Sequence, residues 1–218
     1  FLEGSGSPFI TAPLALAWAT QPDEVKTNWW ATRLCFVRGF ARYLYTLDPR
    51  TQVPPSELLV RGPNRSVPYL YSDEEVRALM KEAGILAGVI RPFTYATLIG
   101  LLAATGLRVG EAIALDQKDL DEHNGLLVVR HGKFDKSREI PLHSSVQAAL
   151  RDYARRRDRI FPHPKSPAFF VSSAGTRLFY SDVQYVFARL LKRSSGDGDA
   201  PRRARIHDLR HTFAVKTL

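Results

Sequence analysis

The sequence predicts a mainly α-helical protein with one small β-hairpin, divided into two domains. Apolar residues recur at spacings of three and four over most of the chain, the pattern of helices with one buried face. Residues 125–142 instead form two short apolar runs around a polar turn, which is typical of a hairpin. A proline-rich stretch over 48–71 separates two helical regions. We therefore predict a helical domain with its linker over 1–68 and an α+β domain over 69–218.

Two helices are predicted in the first domain. Thr11 stands before an Ala-Pro pair, and Thr caps free amides while Pro tolerates the first turn, so a short helix follows to Trp18. A longer helix begins near 22–24 and continues to Leu47, because its apolar residues share one face. These residues are Trp30, Leu34, Val37, Ala41 and Leu44.

Three helices precede the hairpin in the second domain. Ser72 and Glu75 form a capping box that opens the first of them. Pro92 heads the next helix, whose nearly continuous apolar run predicts a core position, and Gly106 closes it. A short helix follows over 109–115.

The rest of the second domain alternates between strands and helices. Strands are predicted over 126–130 and 138–142, with Pro141 placing the latter at an edge or ending it. A helix follows over 144–159, then a short strand at 168–171 and a helix capped by Ser181.

Charge points to a polyanionic partner. The 218 residues hold 31 Lys and Arg against 22 Asp and Glu, a formal net charge of +9. Residues 151–218 alone hold 15 basic and 6 acidic side chains. Nucleic acid is the first expectation and an anionic membrane surface the second, while a solvated charged face is the structural alternative. No apolar stretch of about 18 residues occurs, so no membrane-spanning segment is predicted.

Cysteine and methionine usage indicates the compartment and the extent of the chain. The single cysteine, Cys35, cannot form an internal disulfide, so a reducing, cytoplasmic location is expected. The single methionine is Met80, so Phe1 is not a translational start. A final helix from His207 meets no stop signal before Leu218. We expect a fragment of a longer chain at both ends.

Two segments place reactive side chains at helical spacing. Arg108 follows the turn at Gly106, and Glu111 lies three residues later, within reach to orient the guanidinium. His207 and Arg210 have the same spacing. Either pair alone is more typical of a structural contact.

Together and in this order, these segments resemble the tyrosine recombinases, also called phage integrases. The resemblance covers residues 72–218 and is most specific in TGLRVGE at 105–111, GKFDKSREIPL at 132–142 and HDLRHTFA at 207–214. The arginine- and aromatic-rich helix upstream resembles, less specifically, the core-binding domain of that family. The resemblance thus implies a core-binding domain followed by a catalytic domain.

The resemblance implies a site-specific DNA recombinase that cuts and rejoins strands through a 3′-phosphotyrosyl intermediate. Arg108 and Arg210 would bind the nonbridging phosphate oxygens, because a planar guanidinium donates two parallel hydrogen bonds. His207 would donate to the same phosphate or assist proton transfer. Lys133 would protonate the departing 5′-oxygen, with Lys136 as the alternative. No metal or other cofactor is expected, since the cationic side chains stabilise the transferring phosphoryl group.

The partner implied is double-stranded DNA, bound by a homotetramer of the full-length protein on paired sites, at the bacterial nucleoid. Integration, excision, transposition and resolution of a mobile element all remain open as its task. Basic residues of the first domain and its linker are candidates for DNA contacts. They are Lys26, Arg33, Arg38, Arg42, Arg61 and Arg65.

One departure from the family concerns the nucleophile. The family's nucleophilic tyrosine lies downstream of the His-x-x-Arg helix, whereas Tyr153, Tyr180 and Tyr185 all precede His207. By the resemblance none of them is the nucleophile, so the fragment is predicted to bind DNA without cleaving it.

Two other functions fit part of the pattern. A non-catalytic DNA-binding protein of the same fold would share the domains but would not require Arg108, Lys133, His207 and Arg210. A zinc metalloprotease is indicated by His207 and His211 at i and i+4. The cationic Arg210 between these histidines and the lack of an evident third ligand oppose a zinc site.

Overall fold

The computed structural model describes residues 2–21, 27–59, 67–130, 137–194 and 204–218. The chain divides into two compact units, Phe1–Ser66 and Val67–Leu218. The predicted mainly helical fold with a small sheet is confirmed. Among the described residues, no helix is both long and apolar enough to cross a membrane.

The first unit is helical. Its elements are α1 (Leu2–Ser5), α2 (Ala12–Thr20), α3 (Thr27–Tyr45) and a 3₁₀ turn at Ser56–Leu58. The Thr11 hydroxyl accepts a hydrogen bond from the Leu14 amide at 3.3 Å, so the predicted cap is present. The prediction that the long helix starts at 22–24 lies outside the described residues.

The buried face of α3 holds the first unit together. Leu34 and Ala41 are fully buried, and Val37 and Leu44 pack against the same cluster, as the spacing predicted. The helix also exposes large aromatic side chains. These are Trp29, Phe36, Phe40, Tyr43 and Tyr45.

The second unit combines six helices with a three-stranded antiparallel sheet of order β1-β2-β3, counted over the described residues. Before the sheet come α4 (Asp73–Gly84), α5 (Arg91–Thr105), α6 (Val109–Ala114) and a 3₁₀ turn at Gln117–Asp119. The strands are β1 (Leu120–Asp121), β2 (Leu126–Val129) and β3 (Arg138–Pro141), and α7 (Ser144–Ile160), α8 (Tyr180–Ser194) and α9 (Asp208–Lys216) follow.

Helix α5 is the centre of the second unit. Its residues Leu98, Ile99, Leu101 and Leu102 are almost completely buried, and it packs against α4, α7 and α9. It ends at Gly106, whose φ of +61° is the left-handed conformation that glycine adopts without strain. The chain then turns directly into α6, and the Gly106 carbonyl in this turn accepts a hydrogen bond from Arg210 of α9.

Two predicted elements are corrected. The strand predicted at 168–171 is absent, and only isolated bridges pair Ala168 with Asp116 and Val171 with Arg177. This segment is apolar because it is buried, and side chains bind its backbone: Tyr153 accepts from the Val171 amide, and Arg157 donates to the Phe169 carbonyl, both at 3.0 Å.

The predicted cap at Ser181 is also wrong. Helix α8 already begins at Tyr180, because the Phe179 carbonyl accepts the first helical hydrogen bond from the Val183 amide at 3.1 Å. The two-residue strand β1 was not predicted, since it is too short to show an alternating pattern.

Candidate active site

Arg108 is fixed at the junction between α5 and α6. It precedes α6 with extended backbone angles, and Glu111 lies on the first turn of that helix. The Glu111 carboxylate accepts hydrogen bonds from the Arg108 backbone amide and from its Nη1, both at 2.9 Å. The contact expected from the spacing of three residues is therefore present.

A second arginine, Arg138 of β3, binds the same carboxylate. Its Nη1 and Nη2 donate to the two oxygens of Glu111 at 3.2 and 2.8 Å. The Glu111 side chain is only 9% exposed, whereas those of Arg108 and Arg138 are 42% and 39% exposed. Sequence reasoning missed Arg138, although it lies inside the matched segment 132–142.

These contacts keep Glu111 ionised. Burial raises the pKa of Glu111, but hydrogen bonds from Arg138 and Arg108 outweigh it and lower that pKa to about 2. A charged carboxylate therefore lies between two guanidinium groups at neutral pH, and the cluster of these three residues keeps a net positive charge.

Arg210 approaches this cluster from α9. Its Nη1 donates to the Gly106 carbonyl oxygen at 2.5 Å, two residues before Arg108. Burial lowers the pKa of Arg210, and the nearby positive charge of Arg108 lowers it further, while Glu111 opposes the change. The structure thus brings together Arg108 and Arg210, which are about a hundred residues apart in the sequence.

His207 directly precedes α9 and lies near Arg210. Partial burial, His211 and Arg210 together lower the pKa of His207, so its imidazole is neutral at neutral pH. The rings of His207 and His211 meet edge to face, with centroids 5.1 Å apart. A neutral imidazole can donate one hydrogen bond and accept another.

A cavity of about 710 Å³ lies beside these side chains. Its lining includes Arg108, Glu111, Lys118, Arg130, Tyr180 and His207. Two of its carboxylates form ion pairs with arginines. Arg130 Nε lies 2.6 Å from Asp119 Oδ1, and Arg177 Nη2 lies 2.5 Å from Asp116 Oδ1. The exposed Lys118 adds a further positive charge, so the cavity favours an anionic ligand.

Three tyrosines that precede His207 differ in their surroundings. Tyr180 lines the cavity and is 45% exposed. Tyr153 is buried, with its hydroxyl held by the Val171 amide and by Thr94. Tyr185 lines a separate groove of about 450 Å³. Among these three, Tyr180 alone shares the cavity with Arg108.

The candidate DNA contacts of the first unit have mixed surroundings. Arg33 donates to the Trp18 carbonyl at 2.8 Å and stacks on the Trp18 ring, 3.9 Å from its centroid. Arg38 donates to the carbonyls of Pro54 and Pro55, both at 2.8 Å. Arg42 is exposed. Both internal contacts hold α3 in place, and DNA binding by these arginines stays a prediction. Lys26, Arg61, Arg65, Lys133 and Lys136 lie outside the described residues.

The ligand set of a zinc site is not found in the described part of the chain. No group of three His, Cys, Asp or Glu there could hold a metal ion. Asp208, between the two histidines, is fully buried and accepts a hydrogen bond from the Arg205 amide at 2.9 Å. The metalloprotease alternative therefore lacks a third ligand among these residues.

A helical unit with a small antiparallel sheet thus brings Arg108 and Arg210 together from two distant helix starts, with Arg108 lining the cavity. This is the arrangement expected of the tyrosine recombinase class. A family model described as the phage integrase family matches residues 70–218. The chain belongs to this family, as its motifs predicted.

Named relatives agree with this assignment. The chain is 44% identical, over all of its length, to a putative integrase/recombinase, y4rB, of Sinorhizobium fredii. It is 43% identical over 85% of its length to y4rE of the same organism, and 30% identical over 86% of its length to the tyrosine recombinase XerC of Chlorobaculum parvum. It spans 72% of the first relative and 60% of the other two.

Solved structures share the fold. The recombinase XerH, bound to a palindromic difH substrate, matches 95% of this chain and 59% of its own with a TM-score of 0.71 and 18% identity. A lambda integrase dimer bound to a core site matches 94% of this chain and 72% of its own, with a TM-score of 0.69 and 18% identity.

Proposed function

We propose that this chain belongs to a site-specific DNA recombinase, which cuts and rejoins DNA strands through a 3′-phosphotyrosyl intermediate. The observation that carries the proposal is the meeting of Arg108 and Arg210 beside a positively charged cavity that His207 lines. Family membership of residues 70–218 supports it. The anionic ligand is then a phosphodiester of double-stranded DNA.

Each side chain has a role that its chemistry supports. Arg108 and Arg210 donate to the nonbridging oxygens and offset the charge of the transferring phosphoryl group. His207 donates a hydrogen bond to the phosphate or assists the proton transfer of the attacking hydroxyl. Lys133, or alternatively Lys136, protonates the 5′-oxygen as its bond to phosphorus breaks and the bond to the tyrosine oxygen forms.

We further propose that the 218-residue chain binds DNA without forming the covalent link. Support comes from the tyrosines: Tyr153 is buried, Tyr185 lies in another groove, and Tyr180 lies upstream of the His-x-x-Arg helix, opposite to the family's order. In the full-length protein, we expect four copies on paired DNA sites, at the bacterial nucleoid.

A suicide substrate tests these proposals. Nicked duplexes carrying the ends of the protein's own mobile element are incubated with the full-length protein, the 218-residue chain and its Tyr180→Phe variant, and covalent adducts are separated under denaturing conditions. Of these three proteins, we expect only the full-length one to form an adduct. Loss of this adduct in Arg108→Lys and Arg210→Lys variants, by about a hundredfold or more, would match the role of the guanidinium forks.

Two results would contradict the proposals. An adduct formed by the 218-residue chain and lost in Tyr180→Phe would make Tyr180 the nucleophile. Tight DNA binding by the full-length protein with no adduct would instead favour the non-catalytic DNA-binding protein of the same fold.

A further inference from the structure

Glu111 receives hydrogen bonds from two arginines that belong to different elements. Arg138 of β3 engages both carboxylate oxygens, through Nη1 at 3.2 Å and Nη2 at 2.8 Å. The guanidinium of Arg108 donates to only one of these oxygens, through Nη1 at 2.9 Å. The planar, two-point pair that arginine and carboxylate prefer is therefore formed by Arg138 and not by Arg108.

This division of contacts affects what Arg108 can bind. A buried carboxylate facing Arg108 alone would favour a closed two-point pair, which would occupy two of the five guanidinium N–H donors instead of one. In the structure, Arg108 gives Glu111 one guanidinium donor and its backbone amide. Within the described part of the chain, its Nε and Nη2 meet no acceptor, so these donors can bind an anion in the cavity.

We propose that Arg138 is a positioning residue: by binding both oxygens of Glu111, it keeps the guanidinium of Arg108 available for a phosphate. This inference rests on the proposed function, because it takes a DNA phosphate as the ligand of Arg108. Arg138 is not among the described residues that line the cavity, whereas Arg108 and Glu111 are. It therefore acts through Glu111 and does not contact the phosphate itself.

A double-mutant cycle of Arg138→Gln, Glu111→Gln and the double variant tests the inference in the full-length protein, with inorganic phosphate as the probe. Binding is followed through the guanidinium NMR signals of Arg108, so that phosphate bound elsewhere does not count. Arg138→Gln should weaken binding about tenfold, because Glu111 then competes for Arg108. Adding Glu111→Gln to this variant removes the competitor and should restore affinity to within about threefold of wild type. The phosphate affinity of Arg138→Lys should lie between those of wild type and Arg138→Gln, since an ammonium group keeps the charge but cannot form the two-point pair.

A matched control separates positioning from loss of charge. Arg193 has a side chain 43% exposed and forms one ion pair with Glu82, so Arg193→Gln removes an equivalent charge outside the cavity. We expect its phosphate affinity to stay within about twofold of wild type, because distant exposed charges are screened. Thermal unfolding of each variant shows whether a loss of binding reflects loss of the fold, and the double variant, which leaves no unpaired carboxylate, then decides the question.

The outcomes separate this inference from the proposed function. If the wild type shows no phosphate binding at Arg108, the phosphate site of the proposed function fails, and this inference fails with it. If the wild type binds and Arg138→Gln binds equally well, only the role of Arg138 is overturned. If the double variant stays as weak as Arg138→Gln while Glu111→Gln alone binds as well as wild type, Arg138 contacts the anion directly and is not a positioning residue.

Discussion

At the scale of single residues, the charge of Glu111 controls the arrangement of the arginines. Burial of the side chain opposes ionisation, but Arg138 and Arg108 stabilise the charged form. Replacing a partner of a buried carboxylate costs more than the pair itself contributes, since the remaining charge is left without compensation. Glu111 is therefore a residue at which stability and function are coupled.

The acid sensitivity of the protein should depend on Glu111. Its pKa of about 2 lies below the ordinary 4.5, so its contribution to folding is full above about pH 4.5 and is lost as pH falls towards 2. We expect Glu111→Gln to lower the free energy of unfolding at pH 7 by about 1–2 kcal/mol, because water screens its half-exposed partners. Urea unfolding at pH 7, 5 and 3 should show that the free energy of unfolding falls less with acid in Glu111→Gln than in wild type. Equal falls in the two proteins would contradict this account.

His207 should produce a pH dependence of the same sign. Partial burial, His211 and Arg210 place the pKa of its imidazole below the ordinary 6.5, so the unfolded chain binds more protons between the two values. Stability is then full above pH 6.5 and declines as the pH falls below it. NMR titration of His207 should give a pKa below 6.5, and His207→Gln should reduce the decline in unfolding free energy between pH 7 and 5.5. A titration midpoint above 6.5 would show that the nearby acidic Asp208 dominates.

The site residues differ in how far the sequence could predict them. Arg108 and Glu111, or His207 and Arg210, lie three residues apart, so one turn of helix already relates them. Arg138 lies 27 residues from Glu111, and their contact arises only from the tertiary fold. Spacing along the chain carries no information about such a tertiary pair, which explains why it was missed.

At the scale of elements, the turn between α5 and α6 connects the two arginines of the site. Gly106 adopts a left-handed conformation, and its carbonyl accepts the hydrogen bond from Arg210. A Cβ at this position would overlap the ring of Phe213 on α9. Glycine is therefore needed both for the backbone angle and for the close approach of α9.

Substitution of Gly106 should disturb stability and site together. We expect Gly106→Ala to lower the free energy of unfolding by about 2 kcal/mol, since about 1 arises from the backbone angle and the rest from displacing Phe213. Urea unfolding measures this loss. Gly110 is the matched control: it lies in α6 with open space around its Cβ position, so Gly110→Ala should leave stability unchanged or raise it. Equal effects at both positions would show that helix propensity alone is being measured.

Secondary structure was predicted best where a local signal sets the boundary. The capping box of Ser72 and Glu75 and the helix stop at Gly106 are both present in the structure. The segment 168–171 was misread because burial alone explains its apolar residues. Tyr153 and Arg157 bind its backbone from α7, and such contacts leave no pattern in the local sequence.

At the scale of the whole molecule, the net charge of +9 overstates the number of basic side chains that can face DNA. Arg157 is 4% exposed and donates to the Phe169 carbonyl, so it supports the fold. Arg177 and Arg205 bind Asp116 and Asp208. The sequence could count these charges and assign them to the last third of the chain, but only the fold distinguishes paired from available arginines.

The same distinction predicts how DNA binding by the first unit depends on salt. Arg42 and Arg38 lie four residues apart on α3, but Arg42 is exposed, whereas Arg38 donates two hydrogen bonds to the carbonyls of Pro54 and Pro55. An exposed arginine that neutralises a phosphate contributes about 0.9 to the slope of log affinity against log salt. Arg42→Gln should therefore reduce that slope by about one on a non-specific duplex, without changing stability.

Arg38→Gln should do the opposite. Loss of its two carbonyl contacts should lower the free energy of unfolding by about 1 kcal/mol, and the salt slope should stay as in wild type. Titrations between about 50 and 200 mM salt, paired with urea unfolding of each variant, distinguish the two roles. If Arg38→Gln reduces the slope as much as Arg42→Gln does, its guanidinium leaves the prolines to bind phosphate. Exposure in the unbound protein would then not be enough to identify the basic residues of α3 that contact DNA. Their choice between backbone carbonyls and phosphates would have to be measured for each residue.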